Sequence, residues 1–218
     1  MIEEHHVTVQ RTARYYTLGS GTLSEKTRRI WFVLHGYGQL AQYFIRRFDV
    51  VATDETLIIA PEGLSRLYTD QQAGKVGASW ITREDRDNEV TDYVAYLDQV
   101  LALVLGDRSL DGLDVTLFGF SQGASTACRW LDKSSHIRAD RLLLWAGYFP
   151  NGLSDVLSPE TIAGLPVSYI YGHEDEYISQ LPDVDRYLNR LKTDVPQLTL
   201  VPFPGKHVVD REVLTGLL

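Results

Sequence analysis

A serine bracketed by glycines, histidines further along the chain and carboxylates in the loops between them are the residue types that carry out acyl transfer. The serine is Ser121, in Leu117-Phe118-Gly119-Phe120-Ser121-Gln122-Gly123-Ala124, where an apolar run stops at a glycine, turns through one hydroxyl and resumes with small residues. The G-x-S-x-G spacing predicts a strained strand-to-helix turn, because glycines two before and two after let strand and helix approach without Cβ clashes. The hydroxyl then stands clear of the sheet at a helix N-terminus, where the helix dipole and unpaired N–H groups favour developing negative charge. A plain β-to-α turn can mimic the same five residues, so the spacing alone does not separate a nucleophile from a connection.

A serine hydroxyl is a poor nucleophile at neutral pH and needs a base in reach and a third group to orient that base. Of the histidines after Ser121, His136 sits near the far end of the serine's own helix, about 20 Å away at 1.5 Å per residue, and is excluded. His173 follows a strand end, but the best carboxylate before it is Asp155, in a loop. His207 follows the last strand in Phe203-Pro204-Gly205-Lys206-His207, with Asp175 in the preceding strand-end loop. Order (serine, acid, histidine) and placement both select His207. Gly172-His173-Glu174-Asp175-Glu176-Tyr177 offers three carboxylates that residue chemistry alone does not separate. A metal at His173 and those acids finds no support in an HExxH spacing or a cysteine pair. A tetrahedral oxyanion needs two backbone donors: the residue after the nucleophile, Gln122, supplies one N–H, and the glycine-flanked turn His35-Gly36-Tyr37-Gly38 offers Tyr37 N–H as the second. His35 itself reads as a hydrogen-bonding support under that turn.

The elements that must position these groups alternate. Tyr15–Leu18 pairs with Val7–Val9 as an opening antiparallel hairpin, and Ile30–Leu34, Leu57–Ala60, Val115–Phe118, Leu142–Ala146, Pro166–Tyr171 and Leu198–Val201 read as buried strands, the last as a central one. Helices are expected over Gln42–Val51, with Tyr43, Phe44, Phe48 and Val51 inward, after the acidic Glu84-Asp85-Arg86-Asp87 start through Val104, from the Ser121 turn to about Ser135, over Pro182–Leu191, and over Val208–Leu218. Glu62–Trp80 shows no period and reads as a long surface loop. The pattern predicts one α/β domain over residues 1–218, a mostly parallel sheet with helices on both faces and ligands bound beyond the carboxyl ends of the strands.

Composition bounds the partners. A net charge of −8 over 218 residues disfavours nucleic acid and anionic membrane as ligands. The single cysteine, Cys128, excludes an internal disulfide and reads as a small buried hydrophobe. The first residues lack a signal-peptide pattern and no apolar run is long enough to span a bilayer, so the expected location is the cytoplasm, without stable membrane insertion. A homodimer is compatible with this composition.

Leu34-His35-Gly36-Tyr37-Gly38, Ala60-Pro61-Glu62-Gly63, Ser79-Trp80, Gly119-Phe120-Ser121-Gln122-Gly123, Gly172-His173-Glu174-Asp175 and Gly205-Lys206-His207 together resemble the carboxylesterase/phospholipase family of α/β-hydrolases, relatives of acyl-protein thioesterases. The resemblance runs from about Ile30 to the C-terminus. It implies an α/β-hydrolase fold with little or no lid, Asp175 as the acid, Tyr37 and Gln122 as oxyanion donors, no cofactor or metal, and a shallow acyl groove near Trp80 and Ile178. Tyr68 and Tyr148 are further candidates to line a pocket. Gln39 stands where the family often has an aspartate, and the segment before Trp80 is short and polar with no long apolar flap, which points to small or medium acyl groups. The expected activity is a serine carboxylesterase; a thioesterase or lysophospholipase would use the same groups, and a binding protein on a hydrolase fold is the non-enzymatic alternative.

Overall fold

The computed structural model describes residues 1–217. In chain order it forms β1 (Tyr15–Gly19), β2 (Arg29–Leu34), α1 (Ala41–Phe44), β3 (Thr56–Pro61), β4 (Ser65–Asp70), β5 (Lys75–Ser79), α2 (Arg86–Leu105), β6 (Asp114–Phe120), α3 (Gln122–Lys133), β7 (Arg141–Trp145), α4 (Pro159–Ile162), β8 (Val167–Gly172), α5 (Glu176–Ser179), α6 (Val184–Asp194), β9 (Thr199–Phe203) and α7 (Arg211–Thr215). Seven strands make one sheet in the order β1-β3-β2-β6-β7-β8-β9. All neighbours are parallel except β1, which runs antiparallel to β3.

Continuous apolar strands arise because both faces of the sheet are covered. Ile30, Phe32 and Leu34 of β2 enter one cluster with Leu97, Val100 and Trp130 from α2 and α3. Trp31 and Val33, pointing the other way with the strand's period of two, join Phe44, Phe48 and Leu214 in a second. Cys128 is buried in the first cluster, and burial pushes its thiol up, which suits a packing role. Among the described residues no helix is long and apolar enough to cross a membrane.

Several local expectations are corrected. Val7 and Val9 stand exposed outside any strand, and β1 finds its partner in β3. The helix expected over Gln42–Val51 gives way after α1 to a 3-10 turn at Ile45–Phe48; Tyr43, in α1, is exposed while Phe44, Phe48 and Val51 are buried. The segment expected to be a loop over Glu62–Trp80 is the β4–β5 hairpin, a separate two-stranded sheet. β9 is the edge of the main sheet rather than a central strand, and the closing helix is confined to Arg211–Thr215, Leu218 lying outside the described residues.

Candidate active site

β6 delivers Ser121 and α3 begins on the next residue. Between them Ser121 adopts φ 53°, a left-handed conformation that costs a non-glycine residue strain. Its N–H donates to Trp145 O at 2.8 Å and its carbonyl accepts from Ala124 N at 3.0 Å, so the turn is pinned from both sides. The two glycines of the pattern allow the close approach: a Cβ on Gly119 would strike the backbone of Gly123 and Ala124, and one on Gly123 would strike the carbonyls of Leu34 and His35.

Of the three adjacent carboxylates, Asp175 is fully buried while Glu174 and Glu176 are exposed. Asp175 Oδ1 caps α5 by accepting from Tyr177 N at 2.9 Å, and Oδ2 meets His207 Nδ1 at 2.7 Å. The loops after β8 and β9 are tied together, since His173 N donates to Phe203 O and Glu174 N to Gly205 O, both at 2.9 Å. The His207 ring lies 4.8 Å from the ring of Phe120, the residue before Ser121, and 4.6 Å edge-on from Tyr177. With Nδ1–H donated to Asp175, Nε2 is left with its lone pair. Among the described residues the imidazole's hydrogen bond is the one to Asp175, and it makes none to Ser121 Oγ.

The second group of residues shapes the turn at His35-Gly36-Tyr37-Gly38. Gly36 packs on Ser121, its would-be Cβ 3.1 Å from the serine's own. Gly36 N–H donates to the Gln39 side chain at 2.8 Å and Gly38 N–H to Ala78 O at 2.9 Å. Tyr37 N–H, between them, has no partner among the described residues, nor does the N–H of Gln122 at the start of α3. Gln122's side chain accepts from Trp80 N at 2.9 Å and donates to Ile81 O at 2.8 Å, fastening the serine turn to the end of β5. The role of Gln39 and of this amide clamp is not visible in the sequence, because a glutamine's partners depend on which chain ends the fold brings alongside it.

His35 is a buried support. Its Nδ1 donates to Gly36 O at 2.8 Å and its Nε2 accepts from Gly63 N at 2.9 Å. Burial pushes its pKa down to about 4, against the opposing pull of the Gly36 carbonyl and the Glu62 charge. Glu62 is itself buried; burial disfavours its charge, but bonds from Arg14, Arg66 and Ala41 N outweigh that and hold it below the usual carboxylate range.

The sequence profile of the phospholipase/carboxylesterase family matches residues 23–215. The chain belongs to that family of α/β-hydrolases. Three solved structures share the fold over nearly their whole lengths. Maize (Zea mays) acyl-protein thioesterase 2 is 17% identical, with 94% of this chain and 96% of that one covered and a TM-score of 0.65. A carboxylesterase from Mesorhizobium loti is 20% identical, with 94% and 95% covered and a TM-score of 0.64. Esterase PE8 is 20% identical, with 96% and 98% covered and a TM-score of 0.54. No curated protein sequence matches the chain.

One turn along α3 from Ser121, at Ser125, this hydrolase has an open cavity of about 330 Å³ whose wall does not include Ser121, Asp175 or His207. Ser125 lines it together with Ile81, Tyr148 and Phe149. Trp80, Ile178 and Tyr68, the residues expected to line an acyl groove, are not in its wall. Trp80 is buried, its indole N–H donating to His35 O at 2.9 Å; Ile178 belongs to the core; Tyr68 is exposed on β4. Asp155, the alternative acid, lies 3.7 Å from Arg86 and bonds to no histidine among the described residues.

Proposed function

We propose that this hydrolase is a serine carboxylesterase acting through an acyl-enzyme on esters of small or medium acyl chains. The observation that carries the proposal is the imidazole of His207, held at Nδ1 by a buried carboxylate and packed on the residue next to a serine in a strained turn. His207 Nε2 takes the Ser121 hydroxyl proton as Oγ bonds to the ester carbonyl carbon. The developing oxyanion is met by Tyr37 and Gln122 N–H. Collapse breaks the bond to the leaving alkoxide oxygen, which receives the proton from His207. Water then repeats the sequence on the acyl-enzyme, giving its proton to His207 as it attacks, and Ser121 leaves with that proton while the acid is released. Asp175 keeps Nδ1 protonated and the ring oriented throughout, and no cofactor enters the chemistry.

The cavity of about 330 Å³ lies at the small end of ligand sites, which supports short acyl groups over long ones. Thioester cleavage would use the same atoms, so the test is a series of p-nitrophenyl esters from acetate to palmitate run beside acyl-CoA thioesters. Turnover should peak at short or medium esters and vanish in Ser121→Ala. Equal activity across chain length would contradict a bounded acyl site, and faster acyl-CoA turnover would move the assignment to a thioesterase.

A further inference from the structure

Arg129 is 7% exposed on α3, two turns after Ser121, and forms no ion pair among the described residues. Its recorded hydrogen bond runs from a terminal nitrogen to Ser125 O at 3.5 Å, at the limit of such a contact. Near it, Tyr93 Oη is buried without a hydrogen-bond partner. Burial pushes the Tyr93 hydroxyl up to about 12, with the Arg129 charge and a weak approach of its guanidinium to the hydroxyl acting the other way. A guanidinium is always charged, and one buried this deeply without a carboxylate is costly unless an anion completes it. Arg129 lines the cavity that opens at Ser125, one turn along α3 from Ser121, and so do Arg83 and Arg86; the acid in the wall is Asp155, 3.7 Å from Arg86, and Glu84 lies 3.7 Å from Arg83 at its exposed rim. The wall is therefore net positive in a chain whose net charge is −8. Helical side chains lean toward the N-terminus, which turns the Arg129 head toward the serine turn.

We propose that this cavity is an anion subsite, in which Arg129 binds a compact oxyanion, carboxylate or phosphate, carried by the ester whose carbonyl is presented to Ser121. The inference rests on the esterase reading for its substrate but not for its binding site. The two nitrogens of the guanidinium fork match the paired oxygens of either group, and Arg86 and Arg83 add charge at the mouth.

The test compares mono-p-nitrophenyl adipate with its neutral analogue, p-nitrophenyl heptanoate, and with the p-nitrophenyl ester of ω-phosphonovalerate. Wild type should favour an anionic ester over heptanoate in kcat/KM. Which anion gains more tells carboxylate from phosphate. Arg129→Gln should reduce that ratio on the order of tenfold to a hundredfold, chiefly through KM. Arg129→Lys should restore part of it, and Arg86→Gln, on the exposed wall, should reduce it less. High salt should erode the mouth's share. Calorimetric titration of adipate and of inorganic phosphate into Ser121→Ala measures the subsite without turnover, and Arg129→Gln in that background should weaken binding of the preferred anion at least tenfold. Equal treatment of adipate and heptanoate esters by an active enzyme, or an Arg129 substitution that lowers both alike, would overturn the subsite and leave the esterase intact. Anion binding dependent on Arg129 in a protein that hydrolyses no ester would do the reverse.

Discussion

Asp175 differs from its two acidic neighbours in being buried. Replacing it with asparagine preserves the α5 cap through the remaining carbonyl but removes the acceptor that fixes the His207 tautomer. Asp175→Asn should lower kcat by about 10⁴-fold with a small change in melting temperature, whereas Glu174→Gln, on an exposed side chain, should stay within a few-fold of wild type. Steady-state kinetics on one short ester checks both, and the opposite ranking would reassign the acid. The sequence located this cluster at a strand end but left its three carboxylates equal, because which of them turns inward is decided by how the loops after β8 and β9 bond to each other. The turn at Ser121 and the place of His207 beside Asp175 were legible because their surroundings are short-range patterns, a glycine-bracketed turn and a histidine just past the last strand. Arg129 was not, since its burial without a carboxylate depends on which distant segments the fold packs around α3.

At the scale of elements, the β4–β5 hairpin is what the sequence concealed most. β4 is largely exposed, β5 turns inward only at Gly77, Ala78 and Ser79, and neither strand carries an alternating apolar pattern, so nothing in the residues announced pairing. Its anchorage is nonetheless visible in the structure: Ala78 exchanges bonds with Gly38 and Gln39, and a Cβ on Gly77 would collide with the backbone of Gly38. Gly77→Ala must push the hairpin away from the turn that holds the Tyr37 N–H. The expected result is a fall in kcat of about 10²-fold, comparable with losing an oxyanion donor, with fluorophosphonate labelling slowed in parallel. Unchanged kcat would show that the hairpin does not position that amide. The buried strands and the long helix α2 were legible because continuous apolar runs and three- and four-residue steps survive in any tertiary context. The one-turn α1 was not, since its 3-10 continuation depends on packing against Phe118 and Trp31.

For the molecule as a whole, His35 couples stability to pH. Its folded pKa of about 4 lies below the ordinary 6.5, so the unfolded chain binds the extra proton first. Stability is complete above pH 6.5 and is lost as pH falls toward 4, the gap corresponding to about 3 kcal/mol. Glu62, also lowered, contributes in the same direction but only below its ordinary 4.5, so between 6.5 and 4.5 the effect of His35 is separable from that of Glu62. Urea unfolding of His35→Gln should therefore show a flatter pH dependence in that window, with the plateau at neutral pH lowered by about 1–3 kcal/mol through the lost bonds. An unaltered slope would assign the titration elsewhere.

The central claim, that Ser121 is the nucleophile and His207 its base, is tested most directly by reaction with a fluorophosphonate followed by peptide mapping. The account predicts a single adduct on Ser121, absent in Ser121→Ala and slowed by orders of magnitude in His207→Ala with the fold intact. An adduct on another residue, or labelling that persists undiminished in Ser121→Ala, would contradict it.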